Sequence, residues 1–438
     1  MRILPRFPLY TAVVAAATCT LLLPAAPASA EFEIERLEED KEIPCEKPPD
    51  SREDLTAKAW TVDFLALNEA HQYNRGTYED GTPVTIAVVD SGVNAELEVF
   101  EDRVVDGFDL WDPDAAGKCD AHTHGTSVAG AAAGRAQGRQ FVGVAPEAEI
   151  MPLRIYQDTE DAGDGERSEL LAQTIVAAVD NGADVINVSS VVLDTPELQG
   201  AVEYAHSQNV VIVAATGNNN LYMDDDGVPR KDRAYYPANY PEVIAVGAHN
   251  PDGFWYEKTN YGRNLDLLAP GAQVTMPYAG GGWHTDSGTS YAAPHVAGVA
   301  ALLKGEFGDE IATPAWIERR IKQTAIHPAN DFNVYQGHGV LDIPRALTAP
   351  PEVGAAPLPD EADPSESTPS FEPQSIDSIA VDYDPLRTEK IIAWSSVIGS
   401  ITLIILVLVL KKLIPQGRRR RWKPGRRGGD NLPAARAD

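Results

Sequence analysis

From residue 83 onward, short runs of apolar and β-branched residues alternate with longer stretches of helical period. The runs 84–89, 184–188, 210–215 and 243–246 lack the regular apolar–polar alternation of a strand wetted on one face. They predict strands buried on both sides. Between them, residues 168–181 and 196–207 repeat apolar positions every three to four residues and predict helices. The expected architecture is α/β, a parallel sheet with helices on both faces, in which function gathers in the loops at the carboxyl ends of the strands. Asp90 and Asn218 fall in such loops.

The ends of the chain have a different texture. Arg2 and Arg6 precede an apolar stretch over 9–23 and then Ala28, Ser29 and Ala30, the pattern of a signal peptide cut after Ala30, with an uncleaved anchor as the alternative. Residues 391–410 hold no charge, and a helix of that length covers roughly 30 Å of hydrocarbon at about 1.5 Å per residue. One transmembrane helix is predicted there. Lys411, Lys412, Arg418 to Arg421, Lys423, Arg426 and Arg427 follow at once. Such a flank marks the cytoplasmic side, so the tail 411–438 is expected inside and the body outside. Its place directly after an apolar span argues against a nucleic-acid role for the arginines. Residues 31–58 read as an extension lying on the body, 59–348 as the globular domain, and 349–388 as a Pro-rich linker too poor in apolar residues to fold.

The formal charge is −29, and removing the +8 of residues 411–438 and the +2 of the first thirty leaves −39 on residues 31–410. An exterior this acidic disfavours nucleic acid and favours solubility or cationic partners, with general solvation accounting for most of it. Of the three cysteines, Cys19 departs with the signal peptide, and Cys45 and Cys119 are expected to form a disulfide in an oxidising compartment; two free thiols are the alternative.

Three segments carry chemistry. Val88, Val89, Asp90, Ser91 and Gly92 put a carboxylate at the end of a buried strand. The run from His124 through Gly125, Thr126 and Ser127 to Gly130 sets an imidazole at the mouth of a small-residue helix. Gly288, Thr289, Ser290 and Tyr291, continuing to Gly298, set a serine at a helix start, where free amides favour negative charge. A serine that hydrolyses amides needs a base for its proton, a carboxylate to orient the base and donors for the oxyanion. Pro294 is expected to be tolerated because early helical positions need no intrahelical donor.

Taken together and in this order, the segments resemble the subtilisin family over roughly residues 60–348. The resemblance implies Ser290 as nucleophile, His124 as general base and then acid, and Asp90 as the group that fixes the imidazole. It also implies Asn218, at the end of the run from Ala214 through Gly217, as an oxyanion donor. Ser189, in the run Asn187, Val188, Ser189, Ser190, Val191, corresponds to the family's substrate-lining edge, where a glycine is usual at the position of Val191. No metal or cofactor is expected: His122 and His124 lack a third ligand, and Asp224, Asp225 and Asp226 read as a solvated turn rather than a calcium loop. His295 reads as a packed helix residue. The extension is too short for the self-folding prodomain that many subtilisins carry.

Signal peptide, extension, subtilisin domain, linker, single span and basic tail together resemble the mycosins, membrane proteases of actinobacterial type VII secretion systems. That likeness implies a serine endopeptidase acting on exported proteins beside a secretion complex in the cell membrane. The alternative is a mainly structural stabiliser of that complex.

Overall fold

Apolar residues in neighbouring positions along each strand part company in space. Ile86 and Val88 enter one buried cluster while Ala87 and Val89 enter another, and β5 repeats the division with Val211 and Val213 against Ile212 and Ala214. Period-two projection onto two covered faces is the reason the strands read as continuous apolar runs. Each fully buried Val or Ile contributes roughly 1.5–3 kcal/mol. The computed structural model describes residues 51–156, 165–218 and 235–354, with Lys411, Ile414, Pro415 and Arg418 further on. The predicted signal peptide, Cys45, the acidic run 224–226, most of the linker, the span 391–410 and most of the tail lie outside the described residues.

Among the described residues, seven strands make a parallel sheet: β1 (Thr85–Asp90), β2 (Phe108–Asp109), β3 (Glu149–Arg154), β4 (Val185–Val188), β5 (Val211–Ala215), β6 (Val243–His249) and β7 (Leu267–Pro270), in the order β2-β3-β1-β4-β5-β6-β7. The direction of winding reverses between β1 and β4, which opens a crevice at their carboxyl ends. A two-stranded antiparallel hairpin, β8 (Val274–Pro277) and β9 (Trp283–Asp286), stands apart from the sheet.

The short α1 (Trp60–Phe64) and α2 (Leu67–Ala70) open the domain. They are followed by α3 (His124–Ala133), α4 (Gly165–Asp180), α5 (Pro196–Ser207), α6 (Thr289–Phe307), α7 (Pro314–Thr324) and α8 (Ile343–Thr348). Val128, Ala129 and Ala132 of α3 join Ala293, Val296 and Ala300 of α6 on one face of the sheet, and Leu171, Ile175, Leu198 and Val202 of α4 and α5 cover the other. Thr195 caps α5, its hydroxyl accepting from Leu198 N at 3.2 Å, with Pro196 in the first turn. Of the extension, Arg52 N donates to Gly281 O and Glu53 O accepts from Trp283 N, so this segment pairs with the β8–β9 hairpin, and Leu55 packs against the core.

Residues 1–362 form one compact unit and 363–438 a second; the described positions of the second are helical and exposed. Among the described residues no helix is long and apolar enough to cross a membrane.

Candidate active site

Asp90 ends β1, Ser189 directly follows β4, and Asn218 comes three residues after β5. Because these strands are parallel neighbours, the three residues emerge side by side at the reversal in winding. Asp90, 1% exposed, holds His124 Nδ1 between its two oxygens at 2.8 and 2.9 Å. A carboxylate only accepts, so Nδ1 carries the proton and Nε2 is the basic nitrogen. Burial pulls His124 toward its neutral form. The charge of Asp90, the bond to it and the charges of Asp120 and Asp286 outweigh that and hold its pKa above the ordinary value.

The close approach of α3 to the Asp90 loop depends on glycine. A Cβ on Gly125 would meet Gly92 O at 2.1 Å, and one on Gly92, at φ +96°, would meet Cys119 O at 1.9 Å. Cys119 is disulfide-bonded, and its backbone therefore lies against the loop that carries Asp90. His122, the other histidine of the pair, is exposed, and no cluster suited to a metal occurs among the described residues.

Ser290 is the second residue of α6, after the cap Gly288. A Cβ built on Gly288 would lie 3.2 Å from Ser290 Oγ and 3.5 Å from Asn218 Nδ2, so hydroxyl and amide flank the same point. Asn218 Oδ1 accepts from Thr289 N at 3.0 Å, which turns the Nδ2 donor toward the serine. Ser189 Oγ donates to Ser290 O at 2.8 Å and accepts from the buried Asn187 Nδ2 at 2.9 Å. This bond corrects the expectation for Pro294. Only the first four amides of a helix lack an intrahelical partner, and Pro294 is the sixth residue of α6. Its missing N–H leaves the Ser290 carbonyl open, and the Ser189 hydroxyl occupies it. His295, by contrast, is buried with Nδ1 2.8 Å from Tyr291 O, and burial lowers its pKa to about 4.

Further along the edge, Ser190 Oγ donates to Tyr156 OH at 2.9 Å. The Val191 side chain, at the position where the resemblance has glycine as the usual residue, stands 3.2 Å from a Cβ built on Gly217.

Several residues of the site escape motif reading. Asp120, 1% exposed, accepts from Ser91 Oγ at 3.0 Å, His122 N at 2.9 Å, Thr123 N at 2.8 Å, Thr126 N at 2.9 Å and Thr126 Oγ1 at 2.6 Å. Ser91 Oγ in turn accepts from Gly125 N at 3.0 Å. Thr123 precedes α3 but makes no side-chain cap, so Asp120 performs the capping from four residues before His124. Burial raises its pKa against the pull of those donors. A carboxylate just ahead of a helix with no acidic first turn was the available signal.

A doubly covered parallel sheet with an aspartate–histidine pair and a serine at a helix head, gathered at its carboxyl edge, defines a serine peptidase of the α/β class. The chain belongs to the subtilase family, whose model matches residues 81–343. Among curated relatives, an intracellular serine protease of Paenibacillus polymyxa is 34% identical over 269 residues, which is 60% of this chain and 79% of that protein. Mycosin-1 of Mycolicibacterium smegmatis is 32% identical over 336 residues, 66% of this chain and 73% of its own. The crystal structure of MycP1 from the ESX-1 type VII secretion system superposes with a TM-score of 0.61 at 29% identity, covering 76% of this chain and 97% of that one. A chain in the periplasmic assembly of the ESX-5 inner membrane complex gives 0.60 at 27% identity, covering 74% and 92%.

Proposed function

We propose that the protein is a serine endopeptidase in which Ser290 attacks, His124 moves the proton, Asp90 holds the imidazole and Asn218 meets the oxyanion. The observation that carries this reading is the grip of Asp90 on Nδ1, which makes Nε2 the base. Ser290 Oγ adds to the scissile carbonyl carbon as its proton passes to Nε2. The carbonyl oxygen takes up the negative charge beside the Asn218 Nδ2–H and the Ser290 N–H at the head of α6. His124 then protonates the leaving amine, an ester remains on Ser290, and water repeats the sequence to release it. Ser189 to Val191 form the edge along which an extended substrate lies. Labelling by a fluorophosphonate, in which Ser290 Oγ displaces fluoride from phosphorus, tests the reading: the full chain in detergent reacts and Ser290→Ala does not. Equal labelling of both would sink it.

The likeness to mycosin-1 and to the ESX-5 assembly supports a place beside a type VII secretion complex, with exported proteins as substrates. In this reading 391–410 is a single span, the catalytic domain is extracytoplasmic, the basic tail is inside, and resistance of the protein to alkaline extraction from membranes checks it. We read Cys45 as the partner of Cys119, fastening the extension beside the Asp90 loop. The pairing of Arg52 and Glu53 with the hairpin and the packing of Leu55 support an extension that stays attached; purified protein beginning near Ala59 would refute this. Likeness to a chain within an assembly also favours a second reading, in which the body mainly stabilises the complex. Secretion that stops in Ser290→Ala with the protein still present supports proteolysis; normal secretion supports the scaffold.

A further inference from the structure

The strand leading into Ser290 carries titratable groups outside the Asp90, His124 and Ser290 set. Along β9 side chains alternate, so His284 and Asp286 share a face while Thr285 meets Thr275 across the hairpin at 3.1 Å. His284 Nε2 lies 2.7 Å from Ser127 Oγ, on α3 one turn beyond His124. The single hydroxyl proton of Ser127 goes to Pro277 O at 2.9 Å, which makes His284 Nε2–H the donor. Asp286 accepts from Tyr291 OH at 3.0 Å. Tyr291 follows Ser290 on α6, is 6% exposed, and sets its ring 5.2 Å from the His124 imidazole at 44°. One strand face is thus tied to both helices of the site, and the aromatic ring against His124 is anchored at its far end by a carboxylate.

We propose that Asp286 is a positioning residue for His124. Through the Tyr291 hydroxyl it fixes the ring on which the imidazole rests, and its charge stabilises the imidazolium formed when Ser290 gives up its proton. Burial raises the pKa of Tyr291, so the phenol stays a donor to Asp286 through the working range. The groups facing His124 are Asp90 from β1, Asp120 from the loop before α3, Asp286 and His284 from β9, and Tyr291 from α6. Burial keeps His284 neutral at ordinary pH, helped by Arg52 and His124 and opposed by Asp286, so it does not cancel the carboxylates. Asp90 and Asp120 are buried, whereas Asp286 is exposed and is the one whose effect salt can screen.

The inference rests on His124 being the base, and the test separates the two. Fluorophosphonate labelling rates of the full chain in detergent are measured from acid to neutral pH for the wild type, Asp286→Asn, Asp286→Glu and Tyr291→Phe. Asp286→Asn is expected to move the acid limb to lower pH, so that at low ionic strength its rate below the wild-type midpoint, relative to its own plateau, rises at least about twofold. In 1 M salt, where the screening length is about 3 Å, the difference should vanish. Asp286→Glu should keep the wild-type limb. Tyr291→Phe should keep the limb but lower the plateau, because the charge stays and the tether goes. An acid limb unmoved in Asp286→Asn, or a shift that persists in 1 M salt, overturns the electrostatic role. A wild-type plateau in Tyr291→Phe overturns the tether, and that variant decides the matter should Asp286→Asn not fold. Wild-type labelling that does not depend on Ser290 would instead overturn the assignment of base and nucleophile, and this inference with it.

Discussion

Acid should weaken this domain through two imidazoles that take no part in the chemistry. His249, at the end of β6, is fully buried between Trp60 and Phe64, with ring centroids 5.8 and 4.6 Å away. Its Nδ1 lies 2.7 Å from Asn250 O. His295 is buried in α6, and burial lowers both rings from 6.5 to about 4. Above pH 6.5 both are neutral whether the chain is folded or not, and they contribute no pH dependence. As pH falls from 6.5 toward 4, the unfolded chain takes up protons that the folded one refuses, so stability is lost; below about 4 the loss levels off. The full interval corresponds to about 3 kcal/mol per ring and the interval down to pH 5 to about 2, hence about 4 for the pair at pH 5. That is a large fraction of a typical 5–15 kcal/mol. The loss also bears on the candidate site, because His249 O accepts from Gly271 N at 3.2 Å and Gly271 O from Gly288 N at 2.7 Å, the residue that caps the helix carrying Ser290. Urea midpoints followed by tryptophan fluorescence at pH 7 and 5, for the wild type and for His295→Gln, measure the effect. Gln is a neutral side chain that can still donate to Tyr291 O, so between pH 7 and 5 the variant should lose about 2 kcal/mol less stability than the wild type. Identical slopes in the two proteins would refute the reasoning.

Asn218→Ala should lower the rate of peptide hydrolysis about 10²–10³-fold with little change in thermal midpoint, as expected for one oxyanion donor; a change below tenfold would remove Asn218 from that role. Ser189→Ala leaves the Ser290 carbonyl without its partner and should cost about 1–3 kcal/mol in urea unfolding, together with slower labelling of Ser290. Asp120→Ala strips acceptors from Ser91, Thr123 and Thr126 at once; a loss of about 3 kcal/mol or more in denaturant unfolding is expected, and a loss under 1 kcal/mol would show that water replaces the carboxylate.

Where sequence decided the outcome, the information was local. Continuous apolar runs specified strands covered on both faces, since a strand side chain has only two directions to point, and Pro196–Ser207 is helical over the residues its pattern predicts. Asp90, His124, Ser290 and Asn218 could be singled out as candidates because each sits in a short segment whose neighbours serve the same turn or helix start. The tertiary structure alone decided what joins positions distant in the chain. The order β3-β1-β4-β5 is what sets Asp90, Ser189 and Asn218 side by side. The bond from Ser189 to Ser290 crosses 101 residues and that from Ser127 to His284 crosses 157, separations that no periodicity records. Pro294 looked like a matter of helix position and proved to be a matter of which distant hydroxyl takes the carbonyl it leaves open. Asp120 and Asp286 look in the sequence like ordinary acidic turn residues; burial of the first and the contact of the second with Tyr291 are properties of the packed molecule, because a carboxylate acts on an imidazole through the distance and dielectric that folding alone establishes.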